Sequence, residues 1–174
     1  MASVQGIVGR SGLHLYGAKE LMRALYALPG KVRRKVSLAA VRAGAKPIIS
    51  AAATAAPSQS GKLQASMGAK TKTYKRGAQS TIAVIGSRKG FAGIYRGYNR
   101  DPRYYAHIVE LGSSRHLLPY LMTVGGLIRQ WWLHPGTRPK PFLGPAFAAL
   151  TAVALDRIAA YLRRGIERYA KKAA

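Results

Sequence analysis

The stretch "KVRRKVSLAAVRAGAKPIISAAATAAP", residues 31–57, decides the fold class of this chain. Its apolar residues recur every three or four positions, which predicts a long helix with one apolar stripe. The stripe comprises Val32, Val36, Ala40, Ala43, Ile48, Ala52 and Ala55. Pro47 has no N–H to donate to the carbonyl of Ala43, so we expect a kink or a break there. The many alanines suit close packing against a sheet or a neighbouring subunit.

Shorter elements are predicted on both sides of this helix. Leu21, Leu25 and Leu28 are spaced as in a short amphipathic helix that ends at Pro29-Gly30. After the long helix, "APSQSGKLQASM" predicts a turn and a short helical segment. "KTKTYKR" and "STIAVIGS" then predict two strands of a hairpin.

Three further patterns lie between this hairpin and the C-terminal region. Residues 88–103 have no period and many Gly and Arg, which predicts a long mobile loop. "YYAHIVEL", residues 104–111, predicts a strand with Glu110 on one face. Residues 114–136 predict a loop that contains a short helix.

The last element is the clearest in the sequence. Pro145 suits a first helical turn, and one apolar stripe then runs through a long C-terminal helix. The stripe comprises Phe147, Leu150, Ala154, Ile158, Leu162, Ile166 and Tyr169. The order of helices, antiparallel strands and helix predicts an α+β fold. We expect one domain over residues 1–174, with residues 1–16 as a flexible arm.

The charge of the chain predicts an acidic partner. There are 29 Lys and Arg against five Asp and Glu, a net charge of +24. A compact domain with this charge repels itself unless a polyanion or an acidic protein surface compensates it. The candidate contacts for DNA or acidic proteins are Lys70, Lys72, Lys75, Arg76, Arg88, Lys89, Arg96, Arg100, Arg163, Arg164, Arg168, Lys171 and Lys172. The tyrosines of the 88–103 loop either lie against nucleic acid or pack back on the sheet.

We find no pattern of catalytic, cofactor-binding or metal-binding residues. The chain has no cysteine, its five acids are scattered, and its four histidines lack a metal-site spacing. His107 and Glu110 would lie on opposite faces of the predicted strand. In the absence of such a pattern we predict a non-enzymatic protein. No apolar run reaches the roughly 18 residues that span a bilayer, so we also predict that the protein has no membrane partner.

Several short motifs in a fixed order carry a family resemblance. They are Leu21, Leu25 and Leu28; Ala56-Pro57, Ser60-Gly61, Leu63 and Ser66; Tyr105-Ala106 and Val109-Glu110-Leu111-Gly112; and Pro141-Phe142-Leu143 with Pro145-Ala146-Phe147. In this order the sequence resembles the tail-completion or neck proteins of long-tailed double-stranded DNA bacteriophages. Residues 88–103 and 114–136 look like loop insertions relative to that pattern.

The resemblance implies a structural virion protein, made in the host cytoplasm, that joins a finished tail to a DNA-filled head. It implies a homo-oligomeric ring at the head–tail junction, no cofactor, and connector, tail terminator or tail tube proteins as neighbours, with the packaged DNA as a possible contact. The alternative is a sequence-independent nucleic-acid-binding protein of ribosomal type. Ribosomal proteins tend to concentrate their bases in extended tails, whereas here the bases are spread over predicted helices and strands.

Two further sets of residues are predicted to form a structural latch and an interface. Glu110 is costly beside buried apolar residues unless it is paired, and Arg138 and Lys140 are the predicted partners in a structural latch. The latch is either within one chain or between subunits. The second set is a predicted interface on residues 114–136, formed by Leu121, Val124, Ile128, Trp131 and Trp132, unless these residues fold back over the sheet of their own chain.

Overall fold

The computed structural model of the protein describes residues 17–58, 60–74, 80–92, 94–95, 98–99, 101–120 and 130–173. The helices are α1 (Ala18–Ala27), α2 (Gly30–Ala55), α3 (Lys62–Ser66), α4 (Ala106–Leu111) and α5 (Leu143–Ala173). The strands are β1 (Met67–Thr73), β2 (Thr81–Ser87), β3 (Ile94–Tyr95), β4 (Tyr98–Asn99), β5 (His116–Tyr120) and β6 (Gln130–His134). A 3₁₀ turn covers Pro102–Tyr104. The α+β fold predicted from the sequence is confirmed.

The body of the protein is built on two long helices that run in opposite directions. Gly44 of α2 faces Ala154 and Ile158 of α5, whereas Val36 faces Gly165 further along α5. A Cβ atom at Gly44 would lie 2.9 Å from the carbonyl oxygen of Ala154, closer than real Cβ atoms come. The small residues of the "SLAAVRAGA" region therefore let the two backbones approach each other. The alanine content predicted close packing against a sheet or a neighbouring subunit; α2 does contact β1 and β2, but its closest packing is on helix α5 of the same chain.

Two apolar clusters lie along this helix pair. The first joins α1 to the pair through Leu21, Leu25, Leu28, Ala40, Ala159 and Leu162. The second lies at the other end of α2 and contains Ala52, Ala56, Leu63, Met67, Phe142 and Ala146. Burial of these side chains is the main stabilising contribution to the fold, at roughly 25 cal/mol for each Å² of apolar surface.

The predicted hairpin packs on α2. Strands β1 and β2 are antiparallel, and their register runs from Met67 opposite Ser87 to Thr73 opposite Thr81. Lys70 and Lys72 of β1 are exposed, whereas Thr71 and Thr73 are half-buried. The Nε–H of Arg42 on α2 donates to Oγ1 of Thr71 at 3.1 Å. The alternation of Lys and Thr thus marks the solvent and helix sides of the strand.

The predicted strand at residues 104–111 is wrong, because this segment is a 3₁₀ turn followed by helix α4. Asp101 begins the turn by accepting a hydrogen bond from the N–H of Arg103, and Gly112 ends the helix at a φ of 74°. Tyr105 and Val109 both pack on the second cluster. They are four residues apart and so share one helix face. Short apolar runs fit strand and helix periods equally well, which is why the pattern misled.

The two predicted loop insertions contain strands. Within residues 88–103, β3 and β4 pair with each other. Within residues 114–136, β5 and β6 form a second hairpin, in which His116 lies opposite His134. The short helix predicted there is wrong for Trp131 and Trp132, which lie on β6, and Leu121, Val124 and Ile128 lie outside the described residues.

Details of the two long helices also differ from the prediction. Helix α2 continues through Pro47 without a break. Ala55, predicted on the α2 stripe, is exposed. Phe147, predicted on the α5 stripe, is 54% exposed, whereas Ala154 and Leu162 are buried.

Helices α2 and α5 each contain a window of 18 residues that is long and apolar enough to cross a membrane by length and composition alone. The protein buries 33% of the α2 window and 17% of the α5 window. Helix α2 packs against α5 and the β1–β2 hairpin, whereas the first half of α5 leaves Phe147 and Val153 exposed to solvent. The absence of a membrane partner stays a prediction.

Candidate functional site

Glu110 joins α4 to the first turn of α5. Its Oε2 atom accepts hydrogen bonds from the N–H groups of Phe142 at 2.7 Å and Leu143 at 2.9 Å, and its Oε1 atom accepts one from Gly144 at 2.8 Å. These N–H groups begin a helix and have no acceptor within it. The carboxylate also lies at the positive end of the α5 dipole. We call this arrangement the Glu110 clamp.

The clamp keeps the carboxyl group of Glu110 ionised. Partial burial is the largest single influence on its pKa, and burial raises it. The three backbone N–H donors act in the opposite direction and together outweigh burial, so the pKa lies below the ordinary value of 4.5. At neutral pH the clamp is therefore a full negative charge that faces three N–H dipoles.

The predicted latch partners are not the groups that Glu110 contacts. The side chains of Arg138 and Lys140 are exposed. Among the described residues, the one ion pair joins Arg103 to Asp101 at 3.6 Å. The backbone, and not the cation, of Lys140 is held, because its N–H donates to the carbonyl of Val109 at 2.8 Å. The segment before α5 is thus fastened to α4 by backbone groups within one chain.

The β5–β6 hairpin is closed at its base, next to the Glu110 clamp, by a pair of backbone hydrogen bonds. Ser113 and Thr137 exchange these two bonds at 3.0 Å. Gly112 and Gly136 flank this base with positive φ values of 74° and 90°, which favour glycine. Beyond this base, Leu117 and Leu133 are paired across the strands and are 58% and 48% exposed.

The bases predicted as partner contacts lie on separate surfaces. Arg88 and Lys89 are exposed after β2, and the guanidinium of Arg88 lies 5.5 Å from the ring centre of Phe91. The bases of the last turns of α5 are also exposed. Lys75, Arg76, Arg96 and Arg100 lie outside the described residues.

The structure brings bases from α2 next to those of α5. Lys35, Arg164 and Arg168 line a groove of about 430 Å³ between the two helices. The guanidinium of Arg164 lies 4.5 Å from the ring centre of Tyr161, which holds it over the helix surface. The bases of α2 were not among the predicted contacts. Their signal in the sequence is the run "KVRRK" at the start of a helix that contains no acid.

A larger groove opens on the other side of α2. It has a volume of about 640 Å³ and lies between α1, the first turns of α2 and the ends of β1 and β2. Leu25, Ala40 and Leu162 contribute to its apolar floor, and Lys31 and Arg34 lie on its edge. We call it the α1–α2 groove.

The described residues bring together no constellation that would hold a metal ion. No group of three His, Asp or Glu side chains with suitable geometry occurs among them. His107 and Glu110 lie on one turn of α4, and not on opposite faces of a strand as predicted. Glu110 is occupied by the α5 backbone, so its role there is structural.

Comparison with known proteins identifies the family. The family model HK97-gp10-like, which describes the bacteriophage HK97-gp10 tail component, matches residues 19–112. This range extends from α1 to the glycine after α4 and includes Glu110, whereas the Phe142 and Leu143 that Glu110 binds follow it. No curated protein and no solved structure matches the chain. Because the match covers more than half of the residues, this chain belongs to the HK97-gp10-like family of bacteriophage tail components.

Proposed function

We propose that the chain is a tail-completion or neck component of a long-tailed bacteriophage, which forms a homo-oligomeric ring at the head–tail junction and joins the finished tail to the DNA-filled head. The observation that carries this proposal is the family match over residues 19–112. The motif Pro141-Phe142-Leu143, which follows the matched range, supports it because the Glu110 clamp binds this motif.

The role is mechanical in this proposal and not enzymatic. The neighbours are further copies of the chain and the connector, tail terminator or tail tube proteins, and the location is the virion after synthesis in the host cytoplasm. The net charge of +24 supports contact with the packaged DNA or with acidic neighbours.

The β5–β6 hairpin is the proposed contact between copies. An isolated two-stranded hairpin is at best marginally stable in water, so a hairpin with exposed Leu117 and Leu133 gains from a partner surface. The Trp131 and Trp132 positions on β6 belong to this contact in our proposal, together with Leu121, Val124 and Ile128 from the segment that follows β5.

Electron microscopy tests the proposal directly. We expect rings in the purified protein, and we expect particles assembled without the protein to contain separate heads and tails. A gold-labelled tag on the protein should appear at the neck. Label at the distal end of the tail, or normal joined particles without the protein, would refute the junction role.

Substitution of Trp131 and Trp132 by Ser tests the contact between copies. We expect monomers with parent-like far-UV circular dichroism, measured with size-exclusion chromatography and light scattering. The matched control replaces Phe147 and Val153, two exposed apolar residues on α5, by Ser and should leave the ring intact. A ring that survives the tryptophan substitutions would remove the hairpin from the contact.

A further inference from the structure

The α1–α2 groove combines an apolar floor with a basic edge. Leu25, Ala40 and Leu162 belong to the first apolar cluster and line the groove, and Met22 on its rim is 38% exposed. Lys31 and Arg34 are exposed on the edge and contact no carboxylate of a described residue. Such a groove can take apolar and negatively charged groups side by side.

The position of these bases in α2 is unfavourable for the isolated chain. The first turn of α2 contains no acid, and helix α2 as a whole contains none. Cations at a helix N-terminus oppose the helix dipole, and neighbouring cations repel each other. Arg33 is fixed in this cluster, since its guanidinium lies 5.2 Å from the ring centre of Tyr26 and donates to the carbonyl of Tyr26 at 3.4 Å. Carboxylates from a partner would relieve the repulsion and the dipole together.

Hydroxyl groups complete the lining on the other side. Ser37 of α2, Thr73 of β1 and Thr81 of β2 line the groove, and the Oγ1 atoms of Thr73 and Thr81 lie 3.3 Å apart. Hydroxyls donate to and accept from backbone or carboxylate groups of a bound chain. The groove thus offers apolar, cationic and hydrogen-bonding groups to a bound peptide segment.

We propose that the α1–α2 groove binds an acidic, amphipathic segment of a neighbouring protein, whose apolar side chains cover the floor and whose carboxylates meet Lys31 and Arg34. The inference rests on the proposed assembly role, for which it names the chemistry of one partner. The charge of the chain selects this occupant over a second copy, which would bring another net charge of +24. Nucleic acid would satisfy the bases and leave the apolar floor against phosphates and sugars.

The N-terminal residues of the chain are the remaining occupant to consider. Residues 1–16 contain apolar side chains, Arg10 and no acid. They could match the floor but would add positive charge to the edge. Charge complementarity therefore favours a segment from another protein.

Fluorescence anisotropy with the full chain and a synthetic probe tests the proposal. The probe is a labelled helical peptide of about 18 residues with Leu at positions i, i+3, i+4 and i+7 and Glu at the positions that flank this leucine stripe. We expect binding to the parent and a loss of about tenfold or more in affinity for the Lys31→Glu/Arg34→Glu variant. The matched control, Lys46→Glu/Lys140→Glu, makes the same change in net charge at exposed positions outside the groove and should change affinity by less than about twofold.

Two altered peptides separate the apolar and charged contributions. Replacement of Glu by Gln, or of Leu by Ser, should each weaken binding to the parent by about tenfold or more. Equal losses for the groove variant and the control variant would show attraction by net charge alone and overturn the proposal. Undiminished binding of the Ser-containing peptide would do the same, because the floor would then play no part.

Competition identifies the wrong occupants. Displacement of the probe by an unlabelled peptide of residues 1–16, or by a DNA duplex of about 20 base pairs whose binding also depends on Lys31 and Arg34, would overturn the assignment to an acidic protein segment. Failure of the assembly role would appear separately, as protein absent from the neck of imaged particles. Far-UV circular dichroism of each variant confirms that it is folded.

Discussion

Removal of the Glu110 carboxylate should destabilise the whole protein, although Glu110 is only partly buried. In Glu110→Ala, the N–H groups of Phe142, Leu143 and Gly144 lose their acceptor. Gly144 is exposed and can bond water instead, whereas the bonds of Phe142 and Leu143 are partly buried. A hydrogen bond to a charged group contributes about 1.5–3 kcal/mol and loss of a helix cap costs about 0.5–2 kcal/mol, so we expect a loss of about 2–4 kcal/mol.

Glu110→Gln should be milder and should separate charge from shape. The amide oxygen can still accept from one or two N–H groups, but the amide nitrogen then faces a donor. We expect a loss of about 1–2 kcal/mol in free energy of unfolding. The matched control is Glu167→Gln, which removes an exposed carboxylate from α5 and should stay within about 0.5 kcal/mol of the parent.

Urea unfolding followed by far-UV circular dichroism measures all three variants. With a slope of about 1.5–2 kcal/mol per M, the midpoint of Glu110→Ala should fall by about 1–2.7 M and that of Glu167→Gln by less than about 0.4 M. If Glu110→Ala and Glu167→Gln unfold at the same urea concentration as the parent, the clamp contributes nothing to stability and the reasoning is refuted.

Three further predictions concern acid stability, helix packing and DNA contact. The folded pKa of Glu110 lies below its ordinary value of 4.5, so the clamp contributes its full stabilisation above pH 4.5 and loses it as the pH falls through the folded pKa. The parent should therefore lose its stability advantage over Glu110→Gln in acid. An advantage that persists at pH 2 would contradict this prediction. Gly44→Ala places a methyl group against Ile158 and the Ala154 carbonyl and should lower the free energy of unfolding by about 1–3 kcal/mol in thermal or urea unfolding. The control Gly30→Ala adds its methyl group in open space and should be neutral or stabilising. Equal effects of the two substitutions would refute the close helix contact. Replacement of Arg88, Lys89, Arg96 and Arg100 by Ser should lower the salt dependence of sequence-independent DNA binding in a filter-binding titration, and an unchanged slope would leave protein neighbours as the partners of these bases.

The sequence predicted those elements whose periodicity extends over many turns or is bounded by clear turn residues. Helices α1, α2 and α5 and the β1–β2 hairpin are of this kind. Of the two outcomes expected at Pro47, a kink or a break, the break is wrong. Pro47 leaves the carbonyl of Ala43 without a backbone N–H donor. Helix α2 tolerates this loss because α5 and the β1–β2 hairpin pack against it. Local propensity alone could not show that support.

Short segments were predicted less well because their conformation depends on distant contacts. The "YYAHIVEL" segment is helical since Val109 packs on the second cluster while Glu110 reaches the α5 backbone 32 residues later in the chain. The charge of Glu110 did point to a bond with the segment before α5. The predicted partners, Arg138 and Lys140, were wrong because backbone N–H groups at the start of a helix attract a carboxylate as strongly as these cations would. The N–H groups are also already fixed in position, so no side-chain freedom is lost when they bind it.

The closed base of the β5–β6 hairpin has a consequence for how this protein can change through evolution. Ser113 and Thr137 are bonded to each other, and Lys140 and Phe142 are bonded to α4, so the ends of the intervening chain are held together by the body of the protein. The entropic cost of closing a loop rises only slowly with its length, by about 0.6 kcal/mol for each doubling. This segment can therefore be lengthened, shortened or exchanged at little cost to the helix pair. In the function that we propose, such a change would fit the hairpin to a new neighbouring protein while the rest of the subunit stays unchanged.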